Sequence, residues 1–132
     1  LHEVPLKPGV LEFLNHCREN GIKLGIATSN SRELAENIAK VHRLHEYFSC
    51  IMTGCEVERG KPFPDIYLAV AKALEVLPER CLVFEDIPAG IRAGKSAGMQ
   101  VCAVEDAYSA QDRQEKQRLA DYYIEDFRRI LY

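Results

Sequence analysis

The feature that most constrains this chain is a regular alternation of short apolar runs with helix-period segments. Val10, Leu11, Phe13, Leu14 and Cys17 recur at 3.6-residue spacing, in a helix that Pro8 can open and Gly21 can close. Residues 22–27 then read as a strand ending in the polar turn Thr28-Ser29-Asn30-Ser31. Asn30 with Glu33 makes a capping-box-like start to a second helix, with Leu34, Ile38 and Val41 as its inner face. Residues 49–53 are a short strand. Pro64 opens a third helix, with Ile66, Val70, Ala73, Leu74 and Leu77 on one side.

Residues 81–84 are nearly all apolar, as a strand covered on both faces should be. In the helix beginning at Pro88, Ala89, Ala93 and Ala97 run beside Gly90, Gly94 and Gly98. These small residues make a flat flank that can approach a sheet closely. Residues 100–104 and 122–124 are further strands, and the charged stretch 109–119 is predicted to be a solvated helix. Strands alternating with helices of this length imply parallel pairing through right-handed crossovers. The expected fold class is therefore α/β: an open, Rossmann-like parallel sheet with flanking helices, in one domain over residues 1–132.

Seventeen Lys and Arg against twenty Asp and Glu leave a net charge of −3, not the basic balance of a nucleic-acid binder. No apolar run approaches the roughly 18 residues of a membrane-spanning helix, so neither nucleic acid nor membrane is an expected partner. Residues 1–8 lack the basic-then-apolar layout of a secretory signal. They also lack a starting Met, and the expectation is a chain cut from something longer. The five cysteines form no Cys-x-x-Cys pair or zinc spacing. They read as structural thiols of a reducing, cytoplasmic compartment. His2, His16, His42 and His45 likewise read as surface or helix residues, and Tyr122, Tyr123 and Phe127 as core anchors.

Ligands of open α/β sheets gather outside the carboxyl ends of the strands, where a loop enters a helix. Three segments put polar residues there. At Thr28-Ser29-Asn30 a hydroxyl precedes the backbone N–H groups of a helix start, which suits a phosphate oxygen; plain capping by Asn30 or Ser31 is the simpler alternative. In Gly60-Lys61-Pro62-Phe63-Pro64-Asp65 two prolines stiffen the backbone that presents Lys61. That ammonium can meet a phosphoryl group or simply face solvent. Glu85-Asp86 follows a buried strand, where adjacent acids need a partner, and a hard cation such as Mg²⁺ suits them. The alternative is a capping Asp86 with Glu85 in water.

Together these segments resemble the haloacid dehalogenase superfamily, in the subgroup of β-phosphoglucomutase and phosphoglycolate-phosphatase-like enzymes. The resemblance rests on Gly25-Ile26-Ala27-Thr28-Ser29-Asn30, on Gly60-Lys61-Pro62-x-Pro64-Asp65, and on the segment from Val83-Phe84-Glu85-Asp86 through Gly90-Ile91 and Ala93 to Ala97-Gly98-Met99. It implies that Thr28 and Lys61 act on the phosphoryl group and that Ser29, Asn30 and Arg32 add phosphate or substrate contacts. It also implies that Glu85 and Asp86 hold Mg²⁺, Asp86 directly and Glu85 directly or through water.

The family's first motif, Asp-x-Asp-x-Thr, occurs nowhere in the 132 residues. In the family its first Asp attacks phosphorus and its second is a general acid/base. The helical cap inserted after that motif is missing too. The resemblance thus implies an incomplete core whose central nucleophile strand is lacking, with the chain alone inactive. In the family that strand lies between the strands ending at Thr28 and Glu85. The expectation is a gap in the sheet, a second chain or N-terminal segment filling it, or re-paired neighbours.

The leading functional expectation is Mg²⁺-dependent phosphoryl transfer from a small phosphorylated metabolite to Asp and then water. A sugar-phosphate mutase is a close alternative, and a non-catalytic module that binds phosphate or a partner chain is a second class. A flavodoxin-like receiver or nucleotide binder would need an early acid cluster or a Gly-rich first loop, and neither is present.

Overall fold

The computed structural model describes residues 8–106 and 111–130. Among these residues five strands alternate with five α-helices: α1 (Val10–Glu19), β1 (Gly25–Thr28), α2 (Arg32–Val41), β2 (Cys50–Thr53), α3 (Asp65–Leu74), β3 (Leu82–Glu85), α4 (Pro88–Ser96), β4 (Gln100–Val104), α5 (Arg113–Leu119) and β5 (Tyr122–Ile124). Among the described residues no helix is long and apolar enough to cross a membrane.

The parallel strands form two sheets, β1–β2 and β3–β4–β5. Among the described residues no ladder joins β1 to β3, so these two strands have not re-paired with each other. One apolar cluster joins Ile66 of α3 to Ile91 and Ala93 of α4, which packs on β3 and β4 at Val83 and Val101, while α3 itself rests on β1 and β2. A second gathers Leu14 of α1, Ala39 of α2 and Leu44, with Leu24 and Ile26 against them. At the break, Phe84 of β3 meets Phe13 of α1 and Phe127 of the C-terminal turn, each with ring centroids 5.1 Å away.

Several boundaries differ from the expected ones, for local reasons. The first strand begins at Gly25, not residue 22, because the Ile22 N–H still bonds the Cys17 carbonyl of the preceding helix, at 2.9 Å. Ser31, not Asn30, caps α2, its hydroxyl accepting from the Leu34 N–H. The buried face of α2 centres on Ala35 and Ala39, whose small side chains let the helix sit close, and Val41 is exposed. On α3 the buried face turns toward Tyr67 and Ala71, and Leu77 lies exposed beyond the helix end. Leu82 of β3 is also exposed, so that strand is not covered on both faces. The small-residue flank of α4 behaves as expected: a methyl on Gly94 would come within 2.7 Å of Val101 Cγ2 on β4.

The predicted helix 109–119 begins at Arg113, with residues 109 and 110 outside the described ones. It is not wholly solvated, since Lys116 is 1% exposed and donates to the Val104 carbonyl at 2.9 Å. Tyr122 is exposed rather than a core anchor, while Phe127 belongs to the aromatic cluster. Cys17 and Cys102 are buried free thiols, and burial pushes the Cys102 thiol up to about 11. Cys55 is exposed.

Candidate phosphate and metal site

The carboxyl ends of β1 and β3 point into one cavity of about 470 Å³ at the break between the sheets. Thr28, Ser29, Asn30, Lys61, Glu85 and Asp86 all line it, with Ile87 and Phe127 among the apolar residues of its wall. Parallel strands put their carboxyl ends at the same edge, so segments some thirty residues apart in sequence converge there.

At the end of β1 the Thr28 hydroxyl accepts the Asn30 N–H at 3.1 Å. A hydroxyl carries one proton and two lone pairs, so its proton remains available to a ligand oxygen. Because Ser31 performs the capping, Asn30 is released to the cavity wall.

Lys61 reaches across the break. Its ammonium donates to the Ala27 carbonyl of β1 at 3.3 Å and forms an ion pair with Glu85 Oε2 of β3. It also lies 5.2 Å from the centroid of the Tyr67 ring, an attractive cation–π placement. Both side chains are largely out of water, Lys61 10% and Glu85 7% exposed. A pair this buried costs much in desolvation unless further hydrogen bonds complete it.

Tyr67 of α3 completes it. Its hydroxyl donates to the same Oε2 at 2.5 Å, while the Asp86 N–H donates to Oε1 at 3.2 Å. Burial, followed by the neighbouring Glu85 charge, pushes the Tyr67 phenol far above its ordinary range. The hydroxyl therefore remains a donor. On the remaining side the carboxylate lies against the bare α-carbon of Gly90, where any Cβ would overlap it.

Arg32 does not join this group. Its guanidinium bonds Glu56, the Ile51 carbonyl at 2.6 Å and Glu36, tying α2 to the end of β2. The Arg32 pairing in turn holds the Glu56 carboxyl below its ordinary range. Sequence reasoning missed Tyr67, because the apolar face expected of its helix ran through Ile66, Val70, Ala73, Leu74 and Leu77 and passed it over. Its four-residue offset from Phe63 in the Lys61 loop offered no signal.

Among the described residues no three His, Cys, Asp or Glu side chains group as a ready-made metal cage. Glu85 and Asp86 do supply two hard oxygen donors at one cavity. Magnesium is commonly held by one or two carboxylates, with waters and phosphate oxygens completing its octahedron. The donor set fits that ion.

The model of the haloacid dehalogenase-like hydrolase family matches residues 1–98. The chain belongs to this family. Relatives of the haloacid dehalogenase-like chain include the phosphorylated carbohydrates phosphatase of Thermotoga maritima, 44% identical over 94 residues that cover 70% of this chain and 43% of that protein. Among solved structures, CbbY from Rhodobacter sphaeroides in complex with xylulose-(1,5)bisphosphate superposes with a TM-score of 0.85 and 32% identity, over 94% of this chain and 55% of that one. The β-phosphoglucomutase of Clostridium difficile gives a TM-score of 0.81 at 28% identity, over 96% and 53%. The chain thus spans about half the length of these haloacid dehalogenase-like relatives.

Proposed function

We propose that these residues form the phosphate- and magnesium-holding part of a phosphatase acting on a small phosphomonoester of the phosphorylated-carbohydrate class. The observation that carries this reading is the convergence of Thr28, Lys61, Glu85 and Asp86 on one cavity. Lys61 has three N–H donors. Two serve Ala27 and Glu85, and the third offsets charge on a phosphoryl oxygen. Thr28 donates its hydroxyl proton to a second oxygen, with Ser29 and Asn30 beside it. Asp86 would hold magnesium directly and Glu85 directly or through water. When bound, that ion would neutralise further phosphate charge, the main task of catalysis in phosphoryl transfer.

The nucleophile is assigned to a carboxylate outside these 132 residues, since no Asp-x-Asp occurs within them. That carboxylate attacks phosphorus, the ester P–O bond breaks, and the second acid of the same Asp-x-Asp pair gives its proton to the departing alkoxide, to regain it from the water that attacks next. Water then cleaves the aspartyl-phosphate. Passing the phosphoryl group to a sugar hydroxyl instead would make a mutase, a second reading favoured by the likeness to a β-phosphoglucomutase. The free thiols suit a reducing, cytoplasmic setting.

The test is magnesium-dependent hydrolysis of an aryl phosphate by the 132-residue chain and by a version extended N-terminally with an Asp-x-Asp strand. The expected result is an inactive chain and an active extended protein that Lys61→Ala silences. Turnover by the chain alone would overturn the assignment of the nucleophile. Phosphate binding without turnover in either form would favour a non-catalytic binding module.

A further inference from the structure

The hydrogen bonds around Glu85 limit what its carboxylate can still do. Oε2 accepts from both Lys61 and the Tyr67 hydroxyl. A carboxylate oxygen has about two lone-pair sites, so Oε2 is fully used. Oε1 accepts from the Asp86 N–H and keeps one site. Gly90 backs the carboxylate closely, so the group cannot retreat from these donors toward α4. Glu85 therefore has one remaining acceptor position, and it is on Oε1.

We propose that Tyr67 is a positioning residue that restricts Glu85 to a single coordinating oxygen and thereby sets the site's preference for magnesium over calcium. The inference rests on the magnesium reading of Glu85 and Asp86 given above. Calcium takes six to eight oxygens and readily accepts both oxygens of one carboxylate, whereas magnesium takes six at shorter range and keeps several waters. A glutamate with one free acceptor position serves the second ion and penalises the first. Tyr67 makes that restriction from α3, through a buried hydroxyl that donates to Oε2. Lys61 shares the oxygen and keeps its third N–H for the phosphoryl group. Tyr67 is 8% exposed and stays.

The experiment is calorimetric titration of the 132-residue chain with MgCl₂ and, separately, CaCl₂, for the native protein and for Tyr67→Phe. The phenylalanine keeps the ring and its packing and removes the donor. The native chain is expected to prefer magnesium. In Tyr67→Phe the ratio of magnesium to calcium affinity should fall about tenfold, the usual scale for losing a partner of a metal ligand. Lys61→Met frees the same oxygen by another route and should move the ratio in the same direction.

Two results would count against the inference. If both affinities fall by the same factor, or neither changes, Tyr67 supports the fold without selecting the ion, and the magnesium reading survives. If the native chain takes up neither cation, the magnesium reading fails and the inference falls with it.

Discussion

Gly90 of α4 faces the carboxylate of Glu85 of β3 with nothing between them, at a position where any β-carbon would overlap the carboxylate atoms. The space that a side chain would take on the helix is occupied by the acid of the neighbouring strand. This fixes Glu85 between a backbone wall and the donors Lys61 and Tyr67.

Gly90→Ala should therefore displace Glu85 and release Lys61. Overpacking of this kind costs about 1–3 kcal/mol, against up to about 1 kcal/mol regained from better helix propensity. Urea unfolding should show net destabilisation, and phosphate titration a weakened site. A variant as stable as the native chain that binds phosphate equally well would show that the carboxylate can move aside at no cost.

Lys61→Met should destabilise the protein as well as weaken phosphate binding. It leaves Glu85, 7% exposed, without its cationic partner, and orphaning one member of a buried pair costs about 3–5 kcal/mol. The double variant Lys61→Met/Glu85→Gln should recover much of that loss, because no charge is then stranded. Equal unfolding midpoints for the single and double variants would contradict this.

Arg32→Ala should leave phosphate affinity unchanged and lower the melting temperature. The guanidinium is committed to Glu56, Glu36 and the Ile51 carbonyl, and its role is to hold α2 against β2. A phosphate titration that shifts markedly in this variant would return Arg32 to the site.

The C-terminal turn should be the acid-labile part of the molecule. The Arg128 guanidinium and backbone N–H hold the Asp126 carboxyl down, from its ordinary 3.8 to about 2. A depressed folded value stabilises at pH above the ordinary carboxylate value and is lost as the pH falls through the folded one. The melting-temperature difference between the native chain and Asp126→Asn should thus be full at neutral pH. It should shrink below about pH 4 and vanish near pH 2. A difference that persists unchanged at low pH would assign the effect to packing of the turn, not to the charge.

The convergence of Thr28, Lys61, Glu85 and Asp86 on one cavity was legible because each is a polar residue placed just after a strand and before a helix. The break in the sheet was one of three outcomes left open, and it rested on the family resemblance, which puts a strand between those ending at Thr28 and Glu85. What escaped was set by contacts between distant segments. Tyr67 stood outside the apolar face expected of its helix, and only the folded chain brings its hydroxyl to Glu85 at the end of β3. Arg32 sits next to a phosphate-binding turn in sequence, yet its main partner, Glu56, lies 24 residues further on. Lys116 occurs in a charged stretch and looked solvated, until the Val104 carbonyl and the Tyr123 ring claimed it.

Lys61 belongs to neither sheet, yet its ammonium touches the Ala27 carbonyl of one and the Glu85 carboxylate of the other. The group that would meet an incoming phosphate is thus also a clasp across the seam of the protein. Ligand occupancy and cohesion of the two halves cannot be set separately, because both draw on the three protons of one nitrogen.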